Sequence, residues 1–392
     1  MAATEFDPEG ARAERRTAPV ELLWDLVFAF AITRVTALLG AQLNALGLVR
    51  GLLALALVWW AWSAFVWATN AQDPDAAVLR AALLLGSALI FISGLALPEA
   101  YGSEAILFAV TYVCVRLLHL ALYADASRRG RASMWAIAGF AASVGAGMAL
   151  LLAGAVAGGT TQLVLWLAAA AIDYAGPAWL TRERLRGLQQ VAVAHFAERY
   201  GLFIIICLGE SVVGIGLGAS GHRLTGTTVV AVALALAITI GLWWTYFDRV
   251  AALAEERLRE HPDPVLAASD AYSYIHLLLV AGIIVFAVGA RHAVVHPDEV
   301  MPAATRLTLC GGVALYLLGH AAFRLRLIGR VGAAEPLAAC AALALAPMAA
   351  DMAAWVACGL LALVLLALVG AERALSGAAR PAPATPARRR GG

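Results

Sequence analysis

Three runs of this sequence carry ionisable or hydroxyl side chains where an apolar stretch long enough to cross a bilayer should carry none. They are Glu21, Asp25 and Arg34 in VELLWDLVFAFAITRVTALL, Glu198, Glu210 and Ser211 in ERYGLFIIICLGESVVG, and Asp248 at the end of LWWTYFD. A charge in hydrocarbon costs several kcal/mol unless it faces protein or water, so these residues point to an ion or proton pathway or to buried ion pairs. Helical spacing at i, i+4, i+7 and i+11 puts Glu21, Asp25, Phe28 and Ile32 on one face, which is expected to turn inward. Glu21 has two readings, because Thr17 and Pro19 look like a helix start and a first-turn acid favours the positive end of the dipole. Asp25 lies about 6 Å deeper by helical rise, beyond ordinary capping. Arg34, roughly 20 Å past Glu21, either snorkels outward or meets an acid. The acid expected there is Glu210, whose small neighbours Gly209 and Ser211 permit close helix approach. That pair reads either as a structural tie or as part of an ion or proton site. Arg116 and His119, one turn apart, and Asp173 form a secondary intramembrane polar set. Asp248 and Asp270 also read as interfacial acids. There is no Walker loop, G-x-S-x-G, H-E-x-x-H or Rossmann fingerprint, so no motif supports enzymatic chemistry, and no metal or cofactor is expected.

The elements that must position these residues follow from hydropathy. Of 392 residues 62% are apolar and 14% charged, and apolar runs of about 20 residues recur along the chain, which excludes a soluble domain. The first run is too long for a signal-peptide core and has no small-residue cleavage site ahead of a polar domain, so it is expected to be retained. Twelve spans are predicted: 19–40, 47–70, 78–98, 102–125, 131–156, 160–181, 197–218, 226–248, 270–292, 302–325, 333–350 and 352–371. All five cysteines (Cys114, Cys207, Cys310, Cys340 and Cys358) fall in apolar runs without ligand spacing and read as small core hydrophobes. The Trp-rich runs VWWAWSAFVW and LWWTYF read as interfacial belts or packing ridges.

The chain has no lysine, and its 28 arginines are unevenly placed. With twelve spans, twenty-one lie on the side of the N-terminus, and Arg50, Arg223, Arg291 and Arg306 lie on the other; Arg34, Arg116 and Arg199 sit within or at the edge of spans. Both termini are therefore expected in the cytoplasm. Residues 1–16 and 373–392 read as disordered tails, the second serving topology and solubility or touching anionic headgroups. Residues 17–185 and 186–372 read as two six-helix repeats. Glu21 matches Glu198 at an offset of 177, Trp59-Trp60 matches Trp243-Trp244 at 184, LLLGSALIFISG matches LLLVAGIIVFAVG at 194, and His119 matches His320 at 201. Repeats of six spans share one orientation, so an axis along the membrane normal is expected to relate them. The fold class is thus all-α, a polytopic membrane protein of about twelve transmembrane helices.

ELLWDLVFAFAIT resembles the opening signature of the bacterial low temperature requirement A (LtrA) family, and AERYGLFIIICLGESVVGIG, LWWTYFDR and YLLGHAAFRLRL resemble its later blocks, over roughly residues 18–372. The resemblance implies a polytopic protein of the bacterial cytoplasmic membrane, named for a requirement in growth at low temperature. By matching motif it brings forward Glu21, Asp25, Glu198, Arg199, Glu210 and Asp248. A looser likeness is to potassium channels of six-helix repeats with a Phe-Ser-Asp motif, where Leu23-Trp24-Asp25 stands here. The functional expectation is a channel or carrier for a small ion or solute, its pathway lined by spans one and seven. The alternative is a non-transporting protein that binds lipid or a partner. The bilayer is the expected partner, and nucleic acid is not one.

Overall fold

The computed structural model describes residues 17–70, 72, 76–128, 134–176, 191–220 and 223–378. Each predicted span corresponds to a helix there: α1 Pro19–Ala41, α2 Ala45–Asn70, α3 Ala77–Glu99, α4 Ala105–Arg128, α5 Met134–Ala157, α6 Gly159–Ala175, α7 Val193–Ala219, α8 Gly226–Arg259, α9 Pro264–Val295, α10 Ala303–Ile328, α11 Ala334–Met348 and α12 Ala354–Ala378. Ten are long and apolar enough to cross a membrane; α6, with 17 residues, and α11, with 15, are shorter. The helices begin and end where the chain supplies stops. Pro19 opens α1, and Gly158, Gly159 and Gly329 take the positive φ that other residues avoid at the α5–α6 turn and after α10.

Three boundaries differ from the sequence expectation. α8 runs on to Arg259 and α9 begins at Pro264, because both continue past the apolar runs through π-helical turns at Tyr246–Val250 and Ser269–Ile275. AALAEERLR, amphipathic and charged, forms the end of α8. The C-terminal tail begins later than residue 373, since α12 runs to Ala378. Residues 1–16 and 379–392 and the 185/186 junction lie outside the described residues.

Within the first half α1 packs on α2 and α3, α3 on α4, α4 on α5, α5 on α6, and α2 on α6. Within the second half α7 packs on α8 and α9, α9 on α10, α10 on α11, α11 on α12, and α8 on α12. The halves meet where α1 and α2 touch α7 and α9. The tightest seam is α9–α10: a Cβ on Gly282 would stand 2.4 Å from Tyr316 N, and one on Gly312 2.3 Å from Phe286 N, so backbone lies directly on backbone. Large apolar side chains such as Leu26, Leu84, Leu307 and Leu366 are exposed on the outside, the inverse of a soluble surface. Trp59, Trp60, Trp62 and Trp67 are buried, so VWWAWSAFVW is a packing ridge, whereas Trp243 of LWWTYF faces outward. Cys207, Cys310 and Cys358 are core residues, while Cys340 is exposed.

Candidate functional site

Asp25 is held on both sides. Arg199 grips it with two bonds, Nε to Oδ2 at 3.0 Å and Nη2 to Oδ1 at 2.6 Å, and Trp62 Nε1 donates to Oδ1 at 2.7 Å. One turn earlier on α1, Glu21 accepts from the Ala18 backbone N–H at 2.9 Å, lies 3.3 Å from Arg199 Nη1, and faces His195 Nε2 at 3.0 Å. Glu21 thus accepts at the start of α1 and is a member of a buried ion cluster. His195 Nδ1 faces Asn70 Oδ1 at 3.1 Å. Glu21, Asp25, His195 and Arg199 are all at most 2% exposed.

The pairings advance together along α1 and α7: Thr17 with Glu198, Asp25 with Arg199, Thr33 with Glu210. The two helices thus run parallel at matched depth, as offsets near 177 predict. The expected partner of Glu210 is corrected by one residue. Thr33 Oγ1 donates to Glu210 Oε2 at 2.5 Å, and the Nε of Arg34 is buried without a hydrogen-bond partner. One residue turns a helix by about 100°, so when Thr33 faces α7 its neighbour Arg34 points away. Glu198 is exposed and accepts from Thr17 Oγ1 at 3.0 Å. Ser211 is buried and turned back toward the Cys207 carbonyl at 3.5 Å.

Beside the ion cluster, the halves are joined by hydroxyls. Ser63 Oγ lies 2.7 Å from Tyr200 OH and 3.1 Å from Ser273 Oγ, and Trp67 Nε1 donates to Ser273 Oγ at 2.7 Å. Trp59 Nε1 donates to the Ser273 carbonyl, which lies in the π-turn of α9, at 2.8 Å. π-turns are frequent where a helix departs from regularity to position a side chain. Further along, His276 Nδ1 lies 3.1 Å from the Ala271 carbonyl, and Nε2 lies 2.8 Å from Tyr246 OH. In the first half Arg116 Nη2 donates to Asp173 Oδ1 at 2.7 Å, which brings two of the secondary residues together. His119 packs instead among the rings of Phe65, Tyr123 and Phe140.

A second ion cluster sits at the ends of α10, α11 and α12. Arg324 Nη1 donates to both Glu335 Oε1 and Glu372 Oε1, the latter at 3.0 Å. His320 Nδ1 lies 3.3 Å from Glu335 Oε1, yet neither ring nitrogen is in hydrogen-bond geometry, and Glu335 Oε2 has no donor. His320 and Glu335 are at most 1% exposed, but Arg324 and Glu372 are 23% and 28% exposed at the side chain. A cavity of about 320 Å³ adjoins them, lined by Asp248, Arg249, Arg324, Glu335, Glu372 and Arg373. Asp248, exposed and 3.4 Å from Arg249, is the one predicted site residue on this wall. Sequence reasoning passed over His195, His320, Glu335 and Glu372 because each stands near the end of a span, where charge is ordinary. A signal was present: HFAER and HAAFR both place a His one turn before an Arg on an otherwise apolar helix.

Residues 16–370, nearly the whole chain, match the family described as bacterial low temperature requirement A protein (LtrA). The chain belongs to that family. An uncharacterized protein of Rhizobium meliloti (strain 1021) is similar, 29% identical over 307 residues that cover 76% of this chain and 75% of that one. No solved structure matches. Membership of the LtrA family and ten helices of spanning length and composition make this a multi-pass membrane protein. The blocks that suggested the family hold both halves of the site: ELLWD carries Glu21 and Asp25, AERYG carries Arg199, and YLLGHAAFR carries His320 and Arg324.

Proposed function

We propose that this LtrA family protein is a channel or carrier for a small ion or solute. The observation that carries the reading is the cavity bordered by Asp248, Arg324, Glu335 and Glu372, where buried and half-exposed charges of both signs meet a space of about 320 Å³. A scaffold has no use for charges beside a void, whereas a solute site needs both. On this reading the solute meets the protein between α8, α10, α11 and α12, and Glu21 and Asp25 hold α1 to α7.

The same reading takes the chain across the bacterial cytoplasmic membrane twelve times, as two parallel six-helix repeats with both termini in the cytoplasm. Support comes from the matching neighbour order of the halves and from the parallel run of α1 and α7. The meeting of the end of α10, the start of α11 and the end of α12 at Arg324 also fits, because the chain must leave that face and return through α11 and α12. The Arg distribution orients the bundle.

The test is flux into liposomes with purified full-length protein, screened over protons, alkali cations and small charged solutes. Uptake of one class above protein-free vesicles, reduced by Asp248→Asn, is expected. Folded, inserted protein that moves none of them overturns the proposal. The lipid-binding alternative has one observation in its favour, an apolar groove of about 780 Å³ between α8 and α12. Lipid that survives delipidation in the wild type but is lost in Gly359→Trp, in a protein without flux, would favour that alternative.

A further inference from the structure

We propose that one zwitterionic membrane phospholipid with a primary ammonium head sits between α8 and α12, an acyl chain in the apolar groove and the head in the charged cavity. As a lipid site it stands without the transport reading; as a gate over the cavity it rests on that reading.

The two spaces are continuous. Trp244 and Val369 line both the groove of about 780 Å³ and the cavity of about 320 Å³. One helical turn beyond each stands a charge, Asp248 after Trp244 on α8 and Arg373 after Val369 on α12, so both walls pass from apolar to charged at the same level. The apolar runs of both helices end there, at the depth where hydrocarbon gives way to headgroups and Trp is favoured. The groove extends from that level to Val230 and Trp355, fourteen residues back along each helix (244 to 230 and 369 to 355), which is about 21 Å of helical rise. Half of a hydrocarbon core is about 15 Å thick, so the groove takes an acyl chain of one leaflet over its whole length. In the first half, protein covers the matching ridge: Trp60 stacks on Tyr174 at 4.0 Å, and Trp59 donates to the Ser273 carbonyl. On α8 Trp243 is 42% exposed, and over Trp244 lies Arg373 at 4.3 Å, so this ridge is left for the bilayer to cover.

The charges select the head. The cavity wall carries three acids, Asp248, Glu335 and Glu372, and three arginines, Arg249, Arg324 and Arg373. A balanced wall exerts no net attraction on an anionic or a cationic head, yet it offers a partner to each end of a zwitterion. The order of the charges also fits. In a phospholipid the phosphate adjoins the glycerol and stands nearest the acyl chain, where the exposed Arg373 is held over the Trp244 ring. The ammonium, at the end of a short linker, reaches toward Asp248 on the facing wall, whose exposed pairing with Arg249 at 3.4 Å is screened by water. A primary ammonium donates three hydrogen bonds to such acceptors, which a quaternary ammonium cannot do.

The test is native mass spectrometry of the purified full chain after exchange into mixed micelles of phosphatidylethanolamine, phosphatidylcholine and phosphatidylglycerol in equal amounts. The wild type is expected to retain one phosphatidylethanolamine about tenfold over either competitor, the worth of one hydrogen bond to a charged group. Gly359→Trp, which fills the groove, should lose bound lipid of every kind, and Asp248→Asn should lose the preference while still binding phosphatidylglycerol. Equal retention of the three lipids, a wild-type preference for phosphatidylglycerol, or a lipid-free dimer overturns the site. If Gly359→Trp fails to fold, Asp248→Asn decides: loss of the preference supports the site, and an unchanged preference overturns it. Selective retention in a protein that moves no solute sinks the transport reading and leaves the lipid site; flux without selective retention does the reverse.

Discussion

His195 and Arg199 stand one turn apart on α7, and His320 and Arg324 stand one turn apart on α10; each pair is met by two carboxylates from other helices. The inventories are identical, two acids, one Arg and one His, but the surroundings are not. Around Arg199, Trp62 Nε1 donates to Asp25, Asn70 Oδ1 faces His195, and Glu21, Asp25, His195 and Arg199 are all buried. Around Arg324 a cavity takes the place of those partners. Two acids, an Arg and a His therefore specify no role by themselves. The neighbours that complete or leave open their valences decide whether the cluster is a clasp or a site.

The comparison breaks most easily at its closed end. Arg199→Leu strands Glu21 and Asp25 in a dry core and is expected to cost about 3–5 kcal/mol, enough to abolish folded yield in size-exclusion analysis of the detergent extract. Yield equal to wild type would mean the cluster does not hold α1 to α7. Arg116→Leu, in the other fully buried pair, should cost about 3 kcal/mol alone and far less when combined with Asp173→Leu, since apolar replacement of both partners is near neutral. A double variant no better than the single would remove that pair from the closed class.

At the open end, Arg324→Leu should be milder, about 1–2 kcal/mol by thermal unfolding, because water reaching Glu372 screens the charges left behind. A loss as large as that of Arg199→Leu would erase the distinction. The smallest effects belong to the far end of α1. Thr33→Val should cost about 1 kcal/mol by removing the donor to Glu210, and the two changes Thr33→Val and Glu210→Gln should be non-additive. Arg34→Leu and Glu210→Gln, which do not meet, should add to within about 0.5 kcal/mol.

Much of the architecture was legible. Apart from the extended ends of α8 and α9, apolar runs and breakers located the helices to within a few residues, and the repeat offset predicted that α1 and α7 lie at equal depth, a relation that Thr33 and Glu210 realise. The face carrying Glu21 and Asp25 was readable because 3.6-residue periodicity is strong and a charge cannot face lipid. Arg34 was misjudged because depth was known and azimuth was not: a shared level does not say which of two adjacent residues turns toward the partner. Glu335 and Glu372 were invisible for another reason. Each stands near a span end, where an acid needs no explanation, and only the meeting of three helices gives them a common guanidinium. The continuation of α8 and α9 escaped because hydropathy marks where a helix leaves the apolar layer, not where its backbone hydrogen bonds stop.

The glycine seam between α9 and α10 has a mechanical reading. Most helix pairs touch through side chains that can change rotamer and let one helix slip past the other. At Gly282 and Gly312 there are no such side chains, so a shift of even one residue would drive a neighbouring Cβ into backbone. The pair therefore behaves as a single stiff beam. Tyr272 and Ser273 ride near one end of that beam and His320 and Arg324 on its other strand, so any displacement of one set carries the other with it, and the hinges of this molecule must lie outside the beam.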